Sequence, residues 1–234
     1  MRLMAFLVIV FTWSVSAQEV DSLVLDSGSY EYKSGDHELF LMPTAHTMPA
    51  RQSYLGSYDV LLLNYTLAVG QSTHLGLYAL ALPDFDGVIA AVSVTLLAKH
   101  TYYESRTFSG AAWGMINVIG LFAVIGNIFS YETENIGFHG GFGFARISVF
   151  ENRASSHGVF LLGTNAKICS WLHAIAEYGN TPNEMLDMDE QFNGLGMAGL
   201  RYRDRHFVLD IAAGKLFKVK NKDVFPIVKA VVYF

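Results

Sequence analysis

Residues 226–234 read Pro-Ile-Val-Lys-Ala-Val-Val-Tyr-Phe. A two-residue period puts Val228, Ala230, Val232 and Phe234 on one face and Ile227, Lys229, Val231 and Tyr233 on the other. Residues 57–69 repeat the pattern more cleanly. Leu61, Leu63, Tyr65, Leu67 and Val69 share one face, with Asn64, Thr66, Ala68 and Gly70 opposite and Val60 and Leu62 as exceptions. Large apolar side chains on one face and small or polar ones on the other require an apolar medium outside and a narrow, partly polar interior inside. Few folds offer that combination.

Composition points the same way. Hydrophobic residues make up 52% of the chain and charged residues only 16%, against about 25% charged in soluble domains. Yet the chain carries 21 Gly, 17 Phe and 12 Tyr, a mixture suited to strands that meet lipid outside, small residues inside and aromatic girdles at the two interfaces. A formal charge of −5 excludes a nucleic-acid binder and leaves no polybasic patch for anionic lipid. Residues 1–17 read as a secretory signal: Arg2, an apolar core at 3–11, and Val15-Ser16-Ala17 as cleavage site. The single Cys169 has no internal partner for a disulfide.

Along the chain, residues 18–36 read as a polar periplasmic leader and 37–234 as the barrel. Residues 37–42 are the expected first strand, ended by Pro43, with 43–56 a loop. Strands follow at 57–69, 73–82 and 88–99, with 100–106 as a connection bearing Tyr102 and Tyr103 at an interface girdle. Residues 107–131 contain no Asp, Glu, Lys or Arg, and Asn117 and Asn127 are their two amides. By length they would suffice for a membrane helix. Four Gly and several β-branched residues argue instead for a hairpin turning near Ile119-Gly120. Glu132 opens a polar turn before a strand at 136–147. Further strands are expected at 157–163, 168–179, 194–202, 206–215 and the last nine residues, with a turn at 164–167. The expectation is an all-β, antiparallel, up-and-down transmembrane β-barrel of about twelve strands, ten if 37–42 fails to span. A chain closing inside a strand on an aromatic residue fits the last strand of a bacterial outer-membrane barrel. Val228, Ala230, Val232 and Phe234 are then the signal read by the barrel assembly machinery, and residues added after Phe234 should impair assembly.

Several short stretches carry a resemblance: Leu41-Met42-Pro43-Thr44-Ala45, Ile175-Ala176-Glu177-Tyr178, Ala198-Gly199-Leu200-Arg201-Tyr202 with Val208-Leu209-Asp210, and Pro226 through Tyr233-Phe234. In these the chain resembles small outer-membrane barrels of Bacteroidetes-type bacteria, a group without assigned activity. The resemblance implies the architecture and no mechanism.

Lys99, Glu177, Arg201, Asp210 and Lys229 fall within expected strands. A Lys or Arg facing lipid at mid-bilayer costs about 2–4 kcal/mol, so all five should face the lumen. There they would either pair into a plugging salt-bridge network or line a path for a small solute. The eight His residues show no metal-ligand spacing. Glu184, Asp187, Asp189 and Glu190 share a loop without a calcium-loop pattern and read as a solvated acidic face. Ser155-Ser156-His157 puts hydroxyl and base on neighbouring, opposite-facing positions, so no catalytic residues, cofactor or metal are expected. The expected partners are outer-membrane lipid, the assembly machinery and a small solute. The reading is a narrow channel or closed structural barrel in a Gram-negative outer membrane. The alternatives are a barrel enzyme acting on lipid or surface glycan, and a helical inner-membrane protein.

Overall fold

The structure, a computed structural model, describes residues 33–59, 62–83, 89–118, 122–149, 153–180, 194–217 and 224–234. The signal stretch, most of the leader and the acidic loop at 181–193 lie outside the described residues.

Twelve antiparallel strands form one closed barrel. They are β1 (Ser53–Tyr58), β2 (Leu62–Ala68), β3 (Thr73–Pro83), β4 (Ile89–Glu104), β5 (Phe108–Asn117), β6 (Phe122–Glu132), β7 (Ile136–Val149), β8 (Arg153–Cys169), β9 (Leu172–Gly179), β10 (Gly194–Arg203), β11 (Phe207–Phe217) and β12 (Val224–Tyr233). Each strand pairs with its neighbours in sequence. β1 and β12 close the ring, with Tyr54 opposite Tyr233 and Tyr58 opposite Lys229. Ser53 and Phe234 exchange backbone hydrogen bonds of 3.2 and 2.9 Å at the end of this seam.

Alternation decides what each face meets. Leu63, Tyr65, Leu75, Leu77, Phe142, Phe144, Phe160, Leu162, Val228 and Val232 are exposed on the outside. Asn64, Thr66, His74, Lys99 and Lys229, one position away, are buried inside. A closed ring satisfies every strand's backbone groups, which is what lets strands cross hydrocarbon. Such an apolar outer surface makes this an integral membrane barrel. Among the described residues no helix is long and apolar enough to cross a membrane; β5 and β6 pair antiparallel, Phe108 opposite Tyr131, and the expected turn at Ile119-Gly120 lies outside the described residues.

The connections at 69–72, 105–107, 133–135, 170–171 and 204–206 are short and lie at the barrel end holding Ser53 and Phe234, called here the near end.

The sequence reading departs from the structure at several places. Residues 37–42 are not a strand. They belong to a segment, 33–52, that precedes β1 and folds into the lumen as a narrow loop. Leu39 N–H donates to Met42 O (2.8 Å) and Thr44 N–H to His37 O (3.0 Å), with one bridge between Glu38 and Pro43. Side chains from both faces of this stretch are buried, Leu39, Phe40 and Met42 packing against the wall, while Leu41 is exposed. That is why its side chains carry no lipid-facing stripe. Residues 57–69 are two strands, β1 and β2, reversing after Tyr58 at Asp59, which takes φ 48°. The twelve-strand count therefore survives with a different first pair. The expected turn at 164–167 is continuous β8, the reversal coming at Ser170-Trp171, and β4 runs on to Glu104. Glu132, expected in a turn, is the buried last residue of β6.

Candidate functional site

The lumen has two layers. Farther from the near end it is apolar: Trp113, Val124, Val159, Met197 and Ile227 are buried together, with Met115, Phe122, Leu161, Leu195 and Phe225 half-buried beside them. Toward the near end it is polar and is occupied by the inserted segment, hereafter the plug. Gly163 makes room for it. A Cβ there would stand 2.2 Å from Leu39 Cδ1 and 3.2 Å from Met42 Sδ.

The wall holds the plug mainly by its main chain. Lys99 on β4 donates to His37 O (3.0 Å), Thr44 O (3.1 Å) and His46 O. Three ammonium donors thus meet three plug carbonyls. Arg201 on β10 uses its whole guanidinium. Nε and Nη2 grip the two Asp210 oxygens at 2.7 Å each, Nη1 reaches Gly35 O (2.6 Å) and Glu38 O (2.8 Å), and Nη2 also reaches Leu39 O (2.9 Å). Lys229 on β12 donates to Leu39 O (2.7 Å) and Phe40 O (3.1 Å) and lies 2.8 Å from Glu38 Oε1. Its Nζ is 3.9 Å from Asp210 Oδ2. Glu177 on β9 supplies the opposite polarity. Its carboxylate accepts from Phe40 N–H (2.9 Å), Leu41 N–H (3.0 Å) and Met42 N–H (3.2 Å). Three successive amides at the loop tip form a nest around one anion.

Smaller contacts complete the grip. Thr101 donates to Ala45 O (2.6 Å), Ala45 N–H to Ser130 Oγ (2.9 Å), and Met48 N–H to His74 Nε2. Arg203 pairs with Asp36 at 2.9 Å. His46 lies between Glu104 (3.3 Å) and Glu132 (3.5 Å), and His139 is 3.4 Å from Glu132.

The five charges singled out from sequence are thus all buried, but they do not form one network among themselves. Arg201 and Asp210 are a two-point pair, Lys229 sits near both Asp210 and Glu38, and Lys99 and Glu177 spend their contacts on the plug's backbone. Sequence reasoning missed Glu38. Its carboxylate is held by Lys229, by His37 Nε2 at 3.4 Å, and by the hydroxyls of Tyr54 and Tyr58 at 3.3 Å. A signal for it existed: three cations against two anions in a sealed lumen leave one positive charge to be met. Glu38, the one acidic residue next to the apolar run 39–42, was the nearest candidate.

His37 and Glu38 belong to the plug and not to the spanning strands, and their protonation follows from where they sit. Burial pushes the His37 imidazole down to about 4, opposed by Glu38. Burial alone would raise Glu38, but Lys229 and His37 outweigh it and hold the carboxyl well below the usual range.

Of the remaining candidates, Val228, Val232 and Phe234 face outward and exposed, with Ala230 half-buried on the same face. Ser156 is exposed and His157 half-buried on the next position of β8. Among the described residues no three His, Cys, Asp or Glu side chains converge as metal ligands.

These features define a class: a transmembrane β-barrel whose lumen, toward one end, is occupied by the segment that precedes its first strand. No protein-family model matches the chain, and no curated protein matches it in sequence. Among solved structures it is similar to the NanC porin (9% identity, TM-score 0.49, covering 78% of this chain and 97% of that one). It is also similar to the Acinetobacter baumannii outer membrane protein Omp33 (8% identity, TM-score 0.42, covering 78% and 95%).

Proposed function

We propose that this protein is a narrow outer-membrane channel for a small polar solute, closed at rest by residues 33–48. The observation that carries the reading is the charge left on the wall behind the plug. A lumen meant to stay filled is held at least as well by apolar side chains, since replacing a buried ion pair with packed hydrophobics is often neutral or stabilising. Here Lys99, Glu177, Arg201, Asp210 and Lys229 are retained, and they contact a segment that runs on into β1. When the plug withdraws, those charges line a polar path. A polar cavity of about 60 Å³ already adjoins the plug, lined by Lys33, Asp36, Glu132, Lys167, His173 and Arg203 among others. The apolar outer face and the resemblance to Bacteroidetes-type barrels support the outer membrane as its location.

A reversible lock tests the reading. Ala45→Cys and Ser130→Cys, in a Cys169→Ser background, place two thiols where plug and wall touch. In planar bilayers at pH 4.5, where the plug is loosened, the oxidised protein should be silent and the reduced protein should conduct. Silence in both states would leave a permanently closed structural barrel.

A further inference from the structure

The plug can be regarded as a bound ligand, and the ligand is a peptide. Wall groups at its deepest part read its main chain. Lys99, Arg201 and Lys229 take carbonyl oxygens from Gly35, His37, Glu38, Leu39, Phe40, Thr44 and His46. Glu177 takes the amides of Phe40, Leu41 and Met42. A site built for an inorganic anion would have no use for Glu177. A neutral sugar would not need several full charges of both signs.

Given the channel reading above, on which this step rests, we propose that the solute class is short zwitterionic peptides, which replace the plug on the same wall groups. Once the plug leaves, Glu177 has lost three donors and is matched by a peptide's terminal ammonium. Arg201 and Lys229 have lost carbonyl partners and are matched by its terminal carboxylate. Spacing sets the length. Arg201, Asp210 and Lys229 share one row across β10, β11 and β12. Glu177 is level with Met197, four positions along β10 from Arg201. At the strand rise those rows are roughly 13 Å apart, but the side chains converge: Arg201 and Lys229 hold Leu39 O and Glu177 holds the adjoining Phe40 N–H, so the charged ends are spanned by a dipeptide, about 7 Å extended. The tethered plug competes at an effective concentration of about millimolar, so a peptide must be supplied at that level or above.

The test uses full-length protein in proteoliposomes. Entry of dialanine and trialanine is compared with that of their N-acetylated, C-amidated forms and of a neutral disaccharide. The free peptides should enter at least about tenfold faster than the blocked ones, the worth of one charge-assisted hydrogen bond. Glu177→Gln should abolish that preference, read as the ratio of free to blocked peptide entry, each normalised to the disaccharide because the same change loosens the plug. Lys229→Gln, tested separately, should weaken it, with heat-modifiable gel migration reporting that each variant is folded. Equal rates for free and blocked peptides, or a preference untouched in both folded variants, overturns the peptide assignment and leaves the channel standing. Failure of every solute to enter overturns the channel reading, and this one with it.

Discussion

At the level of single residues, the Arg201–Asp210 pair shows what a saturated buried charge demands. Each guanidinium donor has a partner, so removing Asp210 strands a buried cation. Breaking a buried pair from one side costs about 3–5 kcal/mol. Asp210→Ala should therefore lower the temperature of the folded-to-unfolded gel shift well below that of an Arg201→Met, Asp210→Leu double variant. Equal losses would show that the charge itself is not what matters. Gly35 offers a second residue-level test. It sits at φ +88° with Arg201 Nη1 3.0 Å from where a Cβ would be. Gly35→Ala should loosen the plug by about 1–2 kcal/mol, read as faster proteolysis within residues 33–48 while the barrel stays intact. Phe234, exposed on the outer face, packs little of its side chain. If it is read by the assembly machinery, Phe234→Ser should reduce the amount inserted in cells while leaving the melting of the inserted fraction nearly unchanged.

Among the elements, the plug is the one whose attachment depends on pH. His37 faces Glu38, Lys99, Lys229 and His74, with the Tyr54 ring tilted against it and the Tyr233 ring edge-on. Its folded value, about 4, lies below the ordinary 6.5, so the released plug binds the proton more readily. The stabilisation is complete above about pH 6.5 and is lost as pH falls from there toward 4. Glu38 works in the same direction but gives way only in stronger acid. His74 accepts from Met48 N–H and so needs an unprotonated Nε2. Conductance should rise when the pH is lowered from 7.5 to 4.5; a pH-independent conductance would sink this account. The plug is also the element least legible in sequence. In β2, Leu63 and Tyr65 alternate with Asn64 and Thr66 because lipid and lumen sort them, and that sorting can be read. In residues 37–42 the neighbours His37 through Phe40 are enclosed from both faces, with Met42, and of the six Leu41 alone is exposed, so the run Leu-Phe-Leu-Met looks like a buried strand. β1 was obscured because Gly56 and Ser57 carry no apolar stripe, and its neighbour β2 follows after a turn too short to show in composition. The charged wall positions could be named from the cost of facing lipid. Their use of main-chain partners could not, because backbone groups are the same at every residue.

For the whole molecule, the outer surface sets where the barrel can reside. Leu77, exposed on β3, faces outward. Leu77→Arg should cost up to about 2–4 kcal/mol if it lies at mid-bilayer and less toward either interface, measured by reversible unfolding in lipid vesicles. An arginine tolerated there at no cost would contradict the lipid-facing assignment.

The seam between β1 and β12 gives the molecule a further property. Tyr54 and Tyr233 are partners across it, and the His37 ring lies 4.6 Å from one and 5.9 Å from the other. A slip of two residues in that last pairing would keep every side chain on its proper face, so alternation alone does not detect the error. It would, however, bring Val231 or Gly56 to the place of a tyrosine and leave His37 without one wall of its aromatic seat. The segment that blocks the lumen is thereby also a gauge: it fits only a ring that has been joined in the right register.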